Sequence, residues 1–140
     1  MRLFNLTYKS TKAFFLLLIA SSMMFGCLRV PNMSNSITLH VNKGEQIKIS
    51  FAATTQNTPI KIVSGDSVYS ILAGDIWTSG TYFAAADTMT IYGNVAKLRC
   101  VFNSMAINNL DISKNTVLTS LNCSFNKLTS LDVSNHPTLT

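Results

Sequence analysis

Three cysteines and two histidines are the residues of this 140-residue chain best able to carry chemistry. Cys100 and Cys123 have no C-x-x-C partner and no accompanying histidine or acidic pair, so their spacing does not fit a metal site. Both are predicted to be thiols packed as small apolar side chains. A disulfide between them is the alternative, because an oxidising compartment permits one, and a redox role is a third. We expect no metal and no cofactor.

The histidines and carboxylates do not form a catalytic pattern. His40 and His136 accompany no serine or cysteine nucleophile in a recognisable arrangement, and the chain has no glycine-rich phosphate loop. Asp111 and Asp132 occupy equivalent positions, but two carboxylates without further oxygen ligands are more typical of a solvated face than of a calcium site. The chain is therefore predicted not to be an enzyme.

The net charge of +5 does not indicate a nucleic-acid partner. Arg2, Lys9 and Lys12 lie in a segment expected to be removed, which leaves eight basic residues against six acidic ones. Without a basic cluster, the electrostatic signature of nucleic-acid binding is missing from the sequence.

A sequence repeat positions most of these residues. The segment that opens LDISKNTVLT at Leu110 superposes on LDVSNHPTLT at Leu131 after a shift of 21 residues, a period typical of solenoids. Each period contains two half-repeats, which open with leucine, an outward residue and then Ile, Cys or Val. Because side chains alternate between faces in extended chain, each half-repeat is predicted to supply one short strand. Asn115 and Asn126 follow the leading leucines by five positions, where an amide can satisfy backbone groups of a bend.

The pattern of the last 30 to 50 residues resembles a known family. The run Leu118-x-x-Leu121-x-Cys123-x-x-Asn126-x-Leu128 is similar to the leucine-rich repeat pattern L-x-x-L-x-L-x-x-N-x-L. The nested form, with its LTSLNCS and LTSLDVS phrases, resembles repeats of cell-surface and secreted leucine-rich proteins of Bacteroides-type bacteria. This resemblance implies a binding protein rather than an enzyme.

The amino terminus has the composition of an export signal. Residues 1–26 combine a basic start with an apolar run from Ala13 to Phe25, which is too short to span a bilayer. The ending Met24-Phe25-Gly26-Cys27 resembles a bacterial lipobox, which implies that residues 1–26 are a lipoprotein signal peptide and that Cys27 is the site of lipid attachment. An ordinary signal peptide and an uncleaved anchor are the alternatives. Residues 27–36 are interpreted as a tether, and the side of the outer membrane on which the protein lies stays open.

Residues 37–93 are predicted to form a small antiparallel β domain of five to seven strands that caps the repeats of residues 94–140. Alternating apolar residues around the turn Asn42-Lys43-Gly44 predict that 37–41 and 47–51 form a hairpin. Further strands are predicted at 60–63, 68–72, 81–84 and 89–92, and helical periodicity is missing throughout. Trp77 and Tyr82 have the aromatic faces that stack on sugars, although a small core also needs aromatics.

The combined prediction is a mainly β chain in which a small antiparallel domain precedes the start of a leucine-rich repeat solenoid. Its expected function is protein–protein interaction or adhesion as a lipid-anchored protein of the outer membrane or cell surface, or otherwise as a secreted protein. The expected partner is a protein of a host or neighbouring cell, and the alternative is a glycan bound by the β domain. Because Thr140 ends within a half-repeat, the sequence is expected to continue. The outward residues predicted to form the binding surface are Arg99, Val101, Asp111, Ser113, Asn122, Ser124, Asp132 and Ser134.

Overall fold

The computed structural model describes residues 29–140, which form nine strands and, within that range, no helix. This confirms that the chain is mainly β. The predicted signal peptide and Cys27 lie outside the described residues. The strands are β1 (Ser36–Val41), β2 (Gln46–Ala52), β3 (Thr58–Ser64), β4 (Ser67–Ala73), β5 (Thr78–Phe83), β6 (Thr88–Tyr92), β7 (Lys97–Arg99), β8 (Ile107–Asp111) and β9 (Ser120–Asn122).

The strands form two sheets. The first has five antiparallel strands in the order β4-β3-β6-β1-β8. The second has four strands in the order β5-β2-β7-β9, in which β2 pairs antiparallel with both neighbours and β7 pairs parallel with β9. From β7 onward, successive strands alternate between the two sheets.

The predicted hairpin between 37–41 and 47–51 is wrong, because β1 and β2 belong to different sheets. A tight turn does form, since the Glu45 amide donates to the Asn42 carbonyl over 3.3 Å. The Asn42 amide, however, donates to Ala106 and the Gly44 amide to Ala84, so the chain crosses from one sheet to the other. Two strands that face each other across a core show the same alternation of apolar residues as two paired strands, which is why the pattern misled.

The other predicted strands are confirmed, and residues 37–93 contain six strands in all. β3 and β4 form a hairpin whose register runs from Thr58 opposite Ala73 to Ser64 opposite Ser67. Its two-residue turn places Gly65 at a φ of 54°, which is the left-handed conformation that such turns require.

The apolar faces of the two sheets meet in one buried cluster. β1 contributes Ile37 and Leu39, and β2 contributes Ile47, Ile49 and Phe51, all fully buried. Each such side chain stabilises the fold by about 1.5–3 kcal/mol.

The cluster continues past Gly93, where the sequence suggested a domain boundary. Leu98 of β7 and Ile107 and Leu110 of β8 belong to the same cluster as the residues of β1 and β2. The segments on either side of Gly93 therefore share one core. Gly93 itself has a φ of 126°, and a Cβ there would lie 2.7 Å from the Pro59 carbonyl oxygen.

Within residues 29–140, we find no helix long and apolar enough to cross a membrane.

Candidate functional site

The eight residues predicted to form a binding surface lie in two groups. Arg99 and Asn122 are register partners on the outer face of the four-stranded sheet, and Val101 and Ser124 each follow two residues later. Asp111 ends β8 in the five-stranded sheet, and Ser113, Asp132 and Ser134 follow in the chain outside that first group. The structure therefore brings together Arg99, Val101, Asn122 and Ser124, and places Asp111 in the other sheet.

Asp111, Asn122 and Asp132 each accept a hydrogen bond from a serine two residues further along the chain. The Asp111 carboxylate accepts a hydrogen bond from the Ser113 amide at 2.9 Å, and Asp132 accepts one from the Ser134 amide at 2.9 Å. The Asn122 side chain accepts hydrogen bonds from the Ser124 amide at 3.2 Å and from the Ser124 hydroxyl at 2.8 Å. These contacts form the same Asx turn three times along the chain.

The turns also set the acidity of the two carboxylates. Hydrogen bonds from the Ser113 side chain and then its backbone lower the pKa of Asp111. Hydrogen bonds from the Ser134 backbone and then its side chain lower the pKa of Asp132. Both carboxylates are therefore charged at neutral pH and already partnered within their own turns.

Asn115 points inward, as predicted, and so does Asn103, which stands in an earlier half-repeat at the position equivalent to Asn126. Asn103 donates to the Lys48 and Cys100 carbonyls at 3.1 Å each, and its side-chain oxygen accepts from the Lys48 amide at 2.6 Å. Asn115 is fully buried. Its side-chain nitrogen donates to the Val95 carbonyl at 3.2 Å, and its side-chain oxygen accepts from the Val117 amide at 3.0 Å. These amides supply donors and an acceptor to backbone groups that have no partner in a sheet.

His136 takes the position of the bend asparagine in the last half-repeat. Its Nε2 lies 2.6 Å from the carbonyl oxygen of Asn115, the residue one period earlier. Its Nδ1 is buried and has no hydrogen-bond partner among the described residues, and the same holds for the Oδ1 of Asn126. An imidazole can replace one hydrogen bond of the amide, but it leaves the second unmade.

The outer face of the four-stranded sheet carries a transverse row of polar side chains. Cross-strand register places Ser79, Ser50, Arg99 and Asn122 side by side on β5, β2, β7 and β9. The hydroxyls of Ser50 and Ser79 lie 2.8 Å apart. Because adjacent strands are about 4.8 Å apart, this row spans about 14 Å.

Arg99 contacts an aromatic ring. Its guanidinium carbon is 4.7 Å from the centre of the Trp77 ring, which is a cation–π contact. Phe102, which follows Arg99 by three residues, stacks on Phe125 with ring centres 4.2 Å apart and an interplanar angle of 14°, although the two side chains are 66% and 67% exposed. Phe102 and Phe125 were not among the residues predicted for the binding surface, although both stand directly before a bend asparagine in equivalent half-repeats.

Tyr82 is not available for stacking on a sugar, so the pair Trp77 and Tyr82 does not form the platform that the sequence suggested. Tyr82 is 7% exposed and points into the core, where its ring packs edge-on against Tyr69 at 5.1 Å. Burial and then the Tyr69 charge raise the pKa of Tyr82. Tyr82 is therefore a packed core residue.

Burial raises the pKa of both thiols. Cys100 and Cys123 are free, and Cys100 is fully buried. Burial, and secondarily the neighbouring Cys123, raises the pKa of Cys100 to about 12. A thiol with so high a pKa is a poor nucleophile at neutral pH. Among residues 29–140, no group of three or more His, Cys, Asp or Glu side chains is placed to hold a metal ion.

Comparison of the chain with known protein families, with curated proteins and with solved structures found no match.

Proposed function

We propose that this protein is an exported, lipid-anchored leucine-rich repeat protein that binds another protein at the outer membrane or cell surface. The repeat region is the part that binds, and residues 36–92 provide the sheets on which the first half-repeats are built. The proposal is non-enzymatic and needs no cofactor.

One observation carries the proposal: backbone hydrogen bonds recur between equivalent positions of successive repeats, which are 23 residues apart in the first step and 21 in the second. The Thr119 amide donates to the Ala96 carbonyl at 2.8 Å, and the Thr140 amide donates to the Thr119 carbonyl at 3.0 Å. The parallel register of β7 with β9 follows the same step, with Leu98 opposite Leu121. Equivalent residues of successive periods are therefore hydrogen-bonded neighbours, as stacked repeats require.

The chemistry of the outward residues supports a weak or multivalent protein contact. Arg99, Asn122 and Ser124 offer hydrogen bonds, while Val101 is half-buried. A polar surface without a buried aromatic anchor gives modest affinity for a single site, and repetition along an array raises the avidity.

A binding experiment tests the protein partner. Purified extracellular-matrix proteins would be assayed by biolayer interferometry against the full chain in detergent and against Asn122→Arg. Ser70→Arg adds the same charge to an exposed position of β4 on the other sheet, and so serves as the control. We expect Asn122→Arg to abolish a contact that Ser70→Arg leaves intact. Equal loss in both variants, or no binding by the parent, would count against the proposed surface.

The lipid anchor is tested separately. Cells labelled with tritiated palmitate should yield a labelled protein that enters the detergent phase of Triton X-114. Cys27→Ser should give an unlabelled protein that stays in the aqueous phase. A labelled Cys27→Ser protein would exclude this site of attachment.

Glycan binding by the β domain is the second candidate, and Trp77 is the observation in its favour. Its ring is 40% exposed and touches a guanidinium group at the surface. Since Tyr82 is buried, any sugar site must use other neighbours of Trp77.

A further inference from the structure

Charge is distributed unevenly over the described surface. Three basic residues, Lys48, Lys97 and Arg99, are exposed on β2 and β7 in the middle of the four-stranded sheet. All six acidic residues of the chain lie outside the four strands of that sheet. Asp75, which is close to Trp77 in the chain, accepts a hydrogen bond from Gln56. The outer face of this sheet is therefore cationic.

A cleft of about 360 Å³ lies on the same face. Its volume is within the range of small-molecule sites. Two cations, two hydroxyl groups and two apolar side chains line it, and none of them is acidic: Lys48, Ser50, Ser79, Arg99, Val101 and Phe102. The cleft thus combines charge, hydrogen-bonding groups and one aromatic wall.

Phe102 forms the aromatic wall of the cleft, and Phe125 stacks on it without lining the cleft. Both residues have an unfavourable backbone conformation. Phe102 has a φ of 55° and Phe125 a φ of 56°, a left-handed backbone that bulky side chains rarely adopt and that asparagine tolerates. Both rings are about two-thirds exposed, so core packing does not compensate for the cost. Local strain of this kind, repeated at equivalent positions, is typical of functional surfaces.

We infer that this cleft binds an acidic oligosaccharide, with a sugar carboxylate on Arg99 and Lys48 and an apolar ring face on the Phe102–Phe125 stack. The inference rests on the glycan-binding candidate above and not on the protein-binding one. A guanidinium pairs with a carboxylate through two parallel hydrogen bonds. The hydroxyls of Ser50 and Ser79 and the amide of Asn122 lie along the same row and suit sugar hydroxyl groups.

The position of the cleft favours a sugar over an acidic peptide. Lys48, Ser50 and Arg99 lie on the two inner strands of the sheet, whose backbone groups pair with neighbouring strands on both sides. Extended peptides gain much of their affinity by adding to the free edge of a sheet. A ligand on this face must be recognised through side chains alone, which a polyhydroxylated, charged ring permits.

Trp77 provides the measurement, because it is the single tryptophan of the chain and touches Arg99. The full chain in detergent would be titrated with trigalacturonic acid while tryptophan emission is recorded. We expect a saturable change that weakens as NaCl is raised, because the contact is electrostatic. The methyl ester of the same trisaccharide should bind at least about tenfold more weakly, since it lacks the carboxylate charge.

Two variants with matched controls locate the site. Arg99→Gln should weaken binding of trigalacturonic acid about tenfold, whereas Lys114→Gln, which removes one charge from an exposed turn after β8, should not. Phe102→Asn should weaken binding about fivefold, because apolar contact between the cleft's aromatic wall and the ring face is lost. Met105→Asn is its control, since Met105 is 61% exposed, has a φ of 62° and does not line the cleft. Because Arg99→Gln also alters the environment of Trp77, its binding would be confirmed by calorimetry.

Several results would overturn the inference. Equal affinity for the acid and its methyl ester would exclude the carboxylate site, and equal effects of Arg99→Gln and Lys114→Gln would exclude this cleft. Tighter, Arg99-dependent binding of hexaglutamate would assign the face to an acidic peptide. A chain that binds none of these probes but still binds a matrix protein through Asn122 would refute the sugar site and leave the protein-binding proposal standing.

Discussion

The half-repeat that opens at Leu98 and the one that opens at Leu121 have the same residue types and different surroundings. Leu98 and Cys100 are fully buried, whereas Leu121 and Cys123 are partly exposed. β7 has a strand neighbour on each side, β2 and β9. Among the described residues, β9 pairs with β7 alone. A repeat of this kind does not bury its own leucines, since burial is supplied by the strands on both sides of it.

Truncating the two leading leucines should reveal the largest difference in stability between the two half-repeats. Leu98→Ala removes a fully buried side chain and should lower the free energy of unfolding by about 3–4 kcal/mol. Leu121→Ala removes a partly exposed one and should cost about 1–2 kcal/mol. Urea denaturation followed by far-UV circular dichroism measures both. Costs that agree within error would mean that Leu121 is covered in solution as well as Leu98 is.

The buried bend residues give the next largest difference. Asn115→Ala leaves the Val95 carbonyl and the Val117 amide without their partner and should cost about 2–3 kcal/mol. His136→Ala removes one hydrogen bond, to Asn115, from a ring that already has an unpaired nitrogen, so about 1 kcal/mol is expected.

Replacement of His136 by asparagine provides the control. His136→Asn restores the residue type of the other bends and should equal or exceed the parent in stability. A destabilisation larger than that of His136→Ala would show that the imidazole makes contacts that an amide cannot replace.

The sequence was sufficient to predict what local alternation determines. The strand positions from Ile60 to Tyr92 and the inward bend amides follow from side-chain periodicity and from the need to satisfy backbone groups, and the structure agrees. Pairing was harder to predict. β1 and β2 alternate as hairpin strands do, yet each pairs with strands distant in sequence.

For the residues of the candidate site as well, the outward orientation could be predicted from alternation, but the placement in one sheet or the other could not. Arg99 and Asn122 were predicted as outward residues at equivalent positions of two half-repeats, and their register places them side by side. The separation of Asp111 from this group depends on the alternation of half-repeats between two sheets, which a one-dimensional pattern does not reveal. The stacked phenylalanines were missed because exposed aromatic residues carry no periodic apolar signal.

The two thiols should differ in the pH dependence that they give to stability. The pKa of Cys100 is raised to about 12 in the folded protein, so the folded state favours the neutral thiol. The stabilisation that this provides is complete below the pKa of an unfolded thiol, about 8.5, and is lost as pH rises from there toward 12. Cys123 is less buried, and burial raises its pKa as well. Stability should therefore fall with pH in this range, and the slope should depend mainly on Cys100.

Comparing alanine variants isolates this contribution from lysine and tyrosine titration. The free energy of unfolding of Cys100→Ala should fall less steeply between pH 8.5 and pH 10.5 than that of the parent, while Cys123→Ala should stay closer to the parent. Identical slopes for all three proteins would contradict a buried neutral thiol at position 100. Labelling of the native protein with iodoacetamide should also modify Cys123 before Cys100.

The burial of the leucines depends on flanking strands, whereas the Asx turns are formed within a few consecutive residues. Changes in these turns should give the smallest of the expected effects. Asp111 and Asp132 lie one period apart, and the pKa of each is lowered within its own turn by a serine two residues on. The stabilisation from a lowered carboxyl pKa is present above the unfolded value, about 3.9, and is lost as pH falls below it. The side-chain hydrogen bond is the larger cause at Asp111 and the backbone hydrogen bond is the larger at Asp132. Ser113→Ala should therefore raise the pKa of Asp111 more than Ser134→Ala raises that of Asp132, as measured by carboxyl carbon chemical shifts in an NMR titration. If instead the pKa of Asp132 returned to its ordinary value in the parent protein while that of Asp111 stayed low, the turns too would depend on the strands beside them.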